Sequence, residues 1–570
     1  MDTTQPQQGH PKGLYTLFFT EMWERFSYYG MRALLTIFLT AELATGGFGL
    51  NRAESLSVYG VFTALVYLTP ILGGWFADKL LGQRKSILIG GLVMAVGQFM
   101  LAASASVDLL GDVETRKNFF YLGLGVLILG NGFFKPNIST IVGDLYDNDD
   151  PRKDGAFTIF YMGINIGAFI CNIIAAFMRN KYGWGPAFMT AGVGMFIGLF
   201  VFTLGRKHIL EANILKPSQE GDTKISDVLL KVFLPAIIAG VIGWMLPGNI
   251  FGSDSTDAFI FACIPVIYFY IMLYVKANAE DKKPIGALLA IFAVSLMFWA
   301  VFKQNGTALT RWANNYTDRS IPAPLIEPLR AINLIDGKDG VQGKTYEIKE
   351  VSAYDDQYRT IKDEAGKPIK EQGLDIYFRN ISDAERAKLE ANPSQEVALY
   401  NTELFQSINP AWVILLTPVV VGFFMFLRRK GKEPTTPSKI VLGLFISALS
   451  CLVMVGAVYA GNNGLVKVSA IWLIASYGVI TLGELCLSPM GLSLVSKLSP
   501  PRITALMMGG FFLSTSIGNK LSGVLASFWY EYDNKAYFFI VNFGLLLIAT
   551  ILGLSILKRL NKIMKERGIN

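Results

Sequence analysis

A chain of 570 residues, 52% hydrophobic and only 17% charged, has the composition of a polytopic membrane protein and excludes a string of soluble domains. Its formal charge of +7 marks no nucleic-acid footprint, because the basic residues gather in short connections on one side of the apolar runs. The four cysteines, Cys171, Cys263, Cys451 and Cys486, all fall inside apolar runs, where free thiols are expected rather than a disulfide framework.

Residues 1–12 are polar, show no cleavable leader and lead straight into the first apolar stretch. Runs of bilayer length, about 20 residues, recur at 14–40, 54–77, 86–106, 118–142, 155–178 and 185–204. A polar stretch, 206–227, precedes two further runs at 228–246 and 257–275. Another run, 285–302, ends at Lys303 and Gln304, and a charged insert occupies 314–407. The last runs are 410–427, 440–460, 468–496, 503–528 and 536–557. The order is six, two, six. It predicts an all-α membrane protein with a six-helix bundle in 1–206, a linker with two extra spans in 207–284, and a second bundle in 285–570 that contains the insert.

Short loops on one side carry Lys79, Arg84, Lys85, Arg152, Lys153, Arg206, Lys282, Lys283, Arg428, Arg429, Lys497 and Arg502, against a few such as Arg116, Lys117 and Lys181 on the other. The positive-inside rule then puts both termini in the cytoplasm and the insert outside. Residues 346–369 alternate around Ala365-Gly-Lys-Pro368, which reads as a small β-containing cap, with a disordered loop as the alternative.

The first run holds Glu21, Glu24, Arg25 and Arg32, a costly set for a membrane span. At about 100° per residue, Glu24 lies near −60°, Arg25 near +40°, Tyr28 near −20° and Arg32 near +20° from Glu21. They form one stripe, which must face other protein or a watery cavity. Lys135 is a second buried charge, in Gly130-Asn131-Gly-Phe-Phe-Lys135-Pro136-Asn137. At 1.5 Å per residue it lies about 7 Å to the cytoplasmic side of its span's midpoint, level with Glu24 at about 5 Å and Glu21 at about 9 Å. A Lys135–glutamate pair is therefore permitted. Glu484, in Thr481-Leu-Gly-Glu484-Leu-Cys-Leu-Ser488-Pro489, supplies a mid-depth carboxylate from the second half. A cavity positive on one wall and negative on the other suits a zwitterion. A single buried pair can merely lock helices together, and Tyr28, Tyr29, Tyr67 and Trp299 taken singly read as packing. Gly73, Gly74, Gly163 and Gly167 read as helix-contact glycines.

Gly74-Trp-Phe-Ala-Asp78-Lys-Leu-Leu-Gly82-Gln-Arg84-Lys85 resembles the loop signature of the major facilitator superfamily. Glu21-x-x-Glu24-Arg25-Phe-x-Tyr28-Tyr29-Gly30, Phe134-Lys135-Pro136-Asn137 and Phe160-Tyr161-x-x-Ile164-Asn165-x-Gly167 together resemble the proton-coupled oligopeptide transporter family, in its bacterial form with two extra spans. The likeness covers essentially all spans but not 314–407. It implies the major facilitator fold, two six-helix bundles rocking about a central site, and symport of di- and tripeptides with protons across the inner membrane, with no cofactor. Glu21, Glu24 and Arg25, with Lys135 as partner, would couple to the proton. Arg32 and Lys135 would hold the peptide carboxylate and Glu484 its amino group. Tyr28, Tyr29, Tyr67, Asn165, Trp299, Asn409 and Ser488 would line the pocket.

One departure stands out. Where the family usually has an acid after Phe-Trp-x-x-Phe, this chain has Phe298-Trp299-Ala-Val-Phe302-Lys303. Lys303 lies about 28 Å up its helix. Either it sits at the outer rim and pairs with Asp318 or the insert, the favoured reading, or it changes the charge balance of the site. Two other functions stay open: a proton symporter of another small anion or zwitterion, and a membrane sensor using the insert as ligand domain. An enzyme is not expected. The two histidines, His10 and His208, lie outside the runs, and no P-loop or metal-spaced cluster is present. The expected partners are small peptides, protons and lipid, without nucleic acid, and the expected form is a monomer.

Overall fold

The computed structural model describes residues 9–569 apart from 51, 211–224, 252, 332–343, 362, 364–368, 401–404 and 406. Among the described residues fourteen helices have twelve or more residues. The first six are α1 (Lys12–Thr40), α2 (Arg52–Phe76), α3 (Gln83–Ser104), α4 (Val113–Asp144), α5 (Lys153–Tyr182) and α6 (Trp184–Leu204). A pair follows, α7 (Leu234–Met245) and α8 (Asp254–Lys276). The last six are α9 (Ala279–Phe302), α10 (Ile408–Arg429), α11 (Thr436–Ala460), α12 (Ile471–Leu498), α13 (Thr504–Ser527) and α14 (Lys535–Glu566). Eleven helices are long and apolar enough to cross a membrane, and Leu229–Met245 is a shorter apolar helix. The two long helices outside that set, α1 and α13, carry the charge stripe and Lys520.

Local chemistry sets where the helices begin. Asp112 accepts from the backbone N–H groups of Glu114 and Thr115 at 3.0 and 2.9 Å and so starts α4. Asn278 does the same for α9 through Asp281 N–H at 2.8 Å, and Asn534 for α14 through Ala536 N–H at 2.9 Å.

Within the membrane, apolar burial gives no drive between helices, so close backbone approach through small residues takes over. Pro136 has no N–H and leaves the Gly132 carbonyl of α4 free. Gly73 of α2 packs on that carbonyl so closely that a Cβ would lie 2.0 Å from it. Likewise a Cβ on Gly167 of α5 would lie 2.2 Å from the Met22 carbonyl of α1, and one on Gly74 would lie 2.7 Å from Ala505 O of α13. Helix contact is the work of these glycines. Gly73→Ala is therefore expected to destabilise the protein by about 1–3 kcal/mol, the usual cost of overpacking. Gly125→Ala, where nothing lies within 4 Å, serves as control. Thermal unfolding of the purified proteins checks this, with only the first variant shifted.

In the first half α1 packs on α5 and α6, and α4 packs on α2 and α3; in the second α9 packs on α13, and α12 on α10 and α11. The halves meet where α2 touches α13 and α5 touches α10 and α12. The extra pair α7–α8 packs side by side, and α8 seals against α13 through a hydrogen bond from Tyr270 OH to Leu506 O at 2.8 Å. All four cysteines are free and buried.

The insert forms a small cap. An antiparallel hairpin pairs β2 (Lys349–Ser352) with β3 (Lys370–Gly373), and helix Asp383–Ala391 packs its Leu389 with Tyr377, Phe378 and Ile381. The turn expected at 365–368 lies outside the described residues, as does most of the polar stretch 206–227. Two short parallel strands, β1 (Thr317–Asp318) and β4 (Val468–Ser469), tie the cap's entry to the second bundle.

Candidate functional site

On α1 the expected stripe becomes a compact ion cluster. Arg25 Nε lies 2.7 Å from Glu21 Oε1 and 2.9 Å from Glu24 Oε2. All three side chains are buried, at 2%, 0% and 3% exposure for Glu21, Glu24 and Arg25. Asn131 of α4 donates to Glu24 Oε1 at 3.4 Å. Two carboxylates share one guanidinium, so the cluster carries one net negative charge.

Lys135 does not pair with either glutamate. Its ammonium sits over the rings of Tyr67 of α2 at 4.4 Å and Phe512 of α13 at 4.7 Å, a cation–π cage built from both halves. Among the described residues it has no ion-pair partner. It still feels the charges of Glu24, Glu21, Arg25 and Lys303. Arg25 wins the glutamates because Glu21 stands one helical turn before it on the same face, whereas Lys135 must reach across from α4.

Lys303 also departs from the favoured expectation. It does not pair with Asp318, which instead accepts from Tyr377 OH at 3.0 Å and Ser320 N–H at 2.9 Å. α9 ends at Phe302 and Lys303 begins a tighter turn, so its side chain folds back over Trp299 and Phe302, 5.5 Å from each ring. There it feels both Arg32 and Glu484.

Arg32 donates from Nε to Tyr59 OH of α2 and stacks over that ring at 5.4 Å. Tyr28 stacks near Phe62 at 6.4 Å and edges Tyr29 at 5.4 Å. Tyr28 OH and Trp299 Nε1 are buried without a hydrogen-bond partner among the described residues. Across the junction, Glu484 accepts from Tyr161 OH of α5 at 2.5 Å and from Asn409 Nδ2 of α10 at 2.8 Å. Asn409 also donates to Thr481 at 2.9 Å, while Asn165 donates back to Tyr161 O at 3.0 Å. Ser488 is buried one turn beyond Glu484, just before Pro489.

A second buried network joins the halves on the face that carries the termini. Asp154, at the start of α5, accepts from Lys497 at 2.7 Å, Ser493 at 2.6 Å and Lys439 at 2.8 Å, and also from Thr436. Lys439 reaches on to Glu433 at 2.7 Å. Burial alone would raise the Glu433 carboxyl, but hydrogen bonds from Arg428 and Lys439 outweigh it and hold it below the ordinary carboxylate range. Asp78 accepts from Leu506 N–H at 3.1 Å at the start of α13. Beside this seam His10 bonds Tyr146 OH at 2.8 Å, and burial with Arg152 lowers its pKa, favouring the neutral ring. This face is tied shut in the structure.

Tyr161 stands in the family motif but carried no expected role, and Tyr59, Phe512 and Asp154 were not singled out from the sequence. Tyr161 had a signal, since it stands four residues before Asn165 on one helix face. Phe512 had none, because an aromatic residue in an apolar run reads as packing.

The sequence profile of the POT family matches residues 84–332 and 398–542. The Bacillus subtilis transporter YclF is 31% identical over 562 residues, covering 98% of this chain and 95% of its own. The peptide transporter YePEPT of Yersinia enterocolitica is 30% identical over 530 residues, covering 91% and 88%. A crystal structure of a peptide transporter POT in complex with sulfate is 31% identical, covers 98% of this chain and 97% of its own, and superposes with a TM-score of 0.60. A multi-pass helical chain with this family profile and a charged site between two bundles is a transporter, not an enzyme, and it belongs to the POT family, the proton-coupled oligopeptide transporters.

Proposed function

We propose that this chain is a proton-driven importer of di- and tripeptides, working as a monomer in the inner membrane with both termini in the cytoplasm and no bound cofactor. One observation carries the reading. At the seam between the halves, Lys303 feels both Arg32 of the first half and Glu484 of the second, Lys135 is caged by rings from both halves, and the Glu21–Glu24–Arg25 cluster stands on the same helix as Arg32. A peptide's constant features are its two charged ends, and fixed charges at each pole hold them while the side chains vary. Tyr28, Tyr29, Tyr67, Asn165, Trp299, Asn409 and Ser488 line the space between. When the proton occupies the glutamate cluster, the cluster is neutral as a whole, and the substrate's carboxylate becomes the counter-charge for Lys135, which has no ion-pair partner among the described residues. Uptake of labelled dialanine into vesicles tests the class: di- and tripeptides compete, free alanine and acetylated dialanine do not. Equal competition by free amino acids or simple anions would favour the broader zwitterion or anion symporter.

Lys303 adds a third cation facing Glu484 and so sets side-chain preference. Lys303→Glu is expected to move the ratio of Ala-Glu to Ala-Lys uptake toward Ala-Lys by about tenfold, about 1.4 kcal/mol of discrimination. An unchanged ratio would place Lys303 outside the side-chain pocket.

A further inference from the structure

An open cleft of about 710 Å³ lies between the cap and the second bundle. That is within the range of small-ligand sites, about 300–1,000 Å³. None of the central-site residues lines it. Its walls are fixed to one another. Asn380 of the cap donates to Asn315 O and Gly464 O at 3.0 Å each, and accepts from Lys467 N–H at 2.9 Å. On the bundle side, Asn463 donates to Asp533 O at 3.2 Å and accepts from Lys535 N–H at 3.1 Å. Every wall therefore belongs to the second bundle or to the cap bound to it, and rocking of the halves leaves the cleft's shape unchanged.

The lining holds three carboxylates and three cations, so it is neutral overall yet strongly polar. Part of that charge is internally matched. Arg359 Nε bonds Asp355 at 2.6 Å, Arg379 bonds Asp356 at 2.8 Å, and Lys535 donates to Trp529 O and Tyr532 O. Two poles are left over. The terminal guanidinium nitrogens of Arg359, whose guanidinium stacks over Tyr530 at 5.2 Å, and the carboxylate of Asp533 are exposed and have no hydrogen-bond partner among the described residues. Between the walls stand two rings, Tyr316 and Tyr358, 5.3 Å apart, the second held at φ +61°, where bulky residues are seldom found. A simple anion would meet Asp533, a simple cation would meet Arg359, and a neutral ligand would leave both unanswered.

We propose that this cleft is a second, permanently formed binding site for a short zwitterionic peptide, its carboxylate on Arg359, its ammonium on Asp533 and its backbone against the two tyrosines. The proposal rests on the peptide reading of the central site. It places a reservoir of substrate on the face that carries the insert. Equilibrium binding of radiolabelled dialanine to the full-length purified protein tests it. Two sites are expected in the native protein and one in Arg32→Gln/Glu484→Gln. Arg359→Ala, and separately the near-isosteric Asp533→Asn, are each expected to leave one site with uptake at saturating dialanine unchanged. A single site that vanishes in the Arg32/Glu484 variant, or two sites that survive both cap-side variants, overturns the second site alone. No binding to the native protein overturns the peptide reading with it.

Discussion

Replacing Glu484 by glutamine is expected to weaken dipeptide uptake at low substrate by roughly 30-fold or more, since removing one member of a buried charge pair costs about 2–5 kcal/mol. The charge is what is lost. The amide oxygen can accept the hydrogen bond now donated by Tyr161, and the α5–α12 junction then stays bridged. The defect should appear in the concentration dependence of uptake, with a raised KM, while thermal stability changes little. A variant with native KM would show that Glu484 ties helices together and leaves the peptide's amino end to another group. The same measurement on N-acetylated dipeptides sharpens the result, because a substrate without an ammonium should bind native protein and variant equally poorly.

Asp154→Asn is expected to open the face that carries the termini. Asp154 is the carboxylate that Lys439 and Lys497 share across the two halves. Glu433 still holds Lys439 after the change, but Lys497 keeps only its bond to Thr436 at 2.9 Å. Stranding a buried cation costs about 3–5 kcal/mol, enough to shift a two-state equilibrium by more than about 100-fold. Spin labels at Leu80 and Lys432, exposed positions on opposite halves of that face, should report longer distances in the variant than in the native protein. An unchanged distance distribution would mean that the contacts at Asp78 and Gly74 hold the face shut without Asp154.

Much of the fold was legible because bilayer thickness imposes a length on every span. The apolar runs corresponded to fourteen helices, even where α7 is short. The glycines of close contact were legible for a similar reason, since few other roles suit small residues in a span. The charge stripe on α1 was legible from helical period alone, yet the partner of its glutamates was not. Depth arithmetic makes Lys135 level with Glu24 but says nothing of azimuth, and the one-turn Glu21–Arg25 pair forms within a single helix. The expected Lys303–Asp318 pair does not form because rise per residue gives height along the helix but not side-chain direction, and Lys303 folds back over Trp299 and Phe302. The Asp154 network was hidden differently. Lys497 looks like one more basic residue of a short loop, and only the packing of α5 against α12 shows that it is buried between halves. Contacts between distant helices, such as Tyr161 with Glu484, are set by how the bundles meet, and no local pattern encodes that.

The central claim is that peptide and proton move together through this junction. Vesicles loaded with a pH-sensitive dye, reconstituted with the purified protein, test it most directly. Adding external dialanine should acidify the lumen of vesicles holding native protein, and Glu24→Gln should bind dialanine without moving protons. Dialanine uptake with no lumenal acidification, or acidification undiminished in Glu24→Gln, would contradict the account.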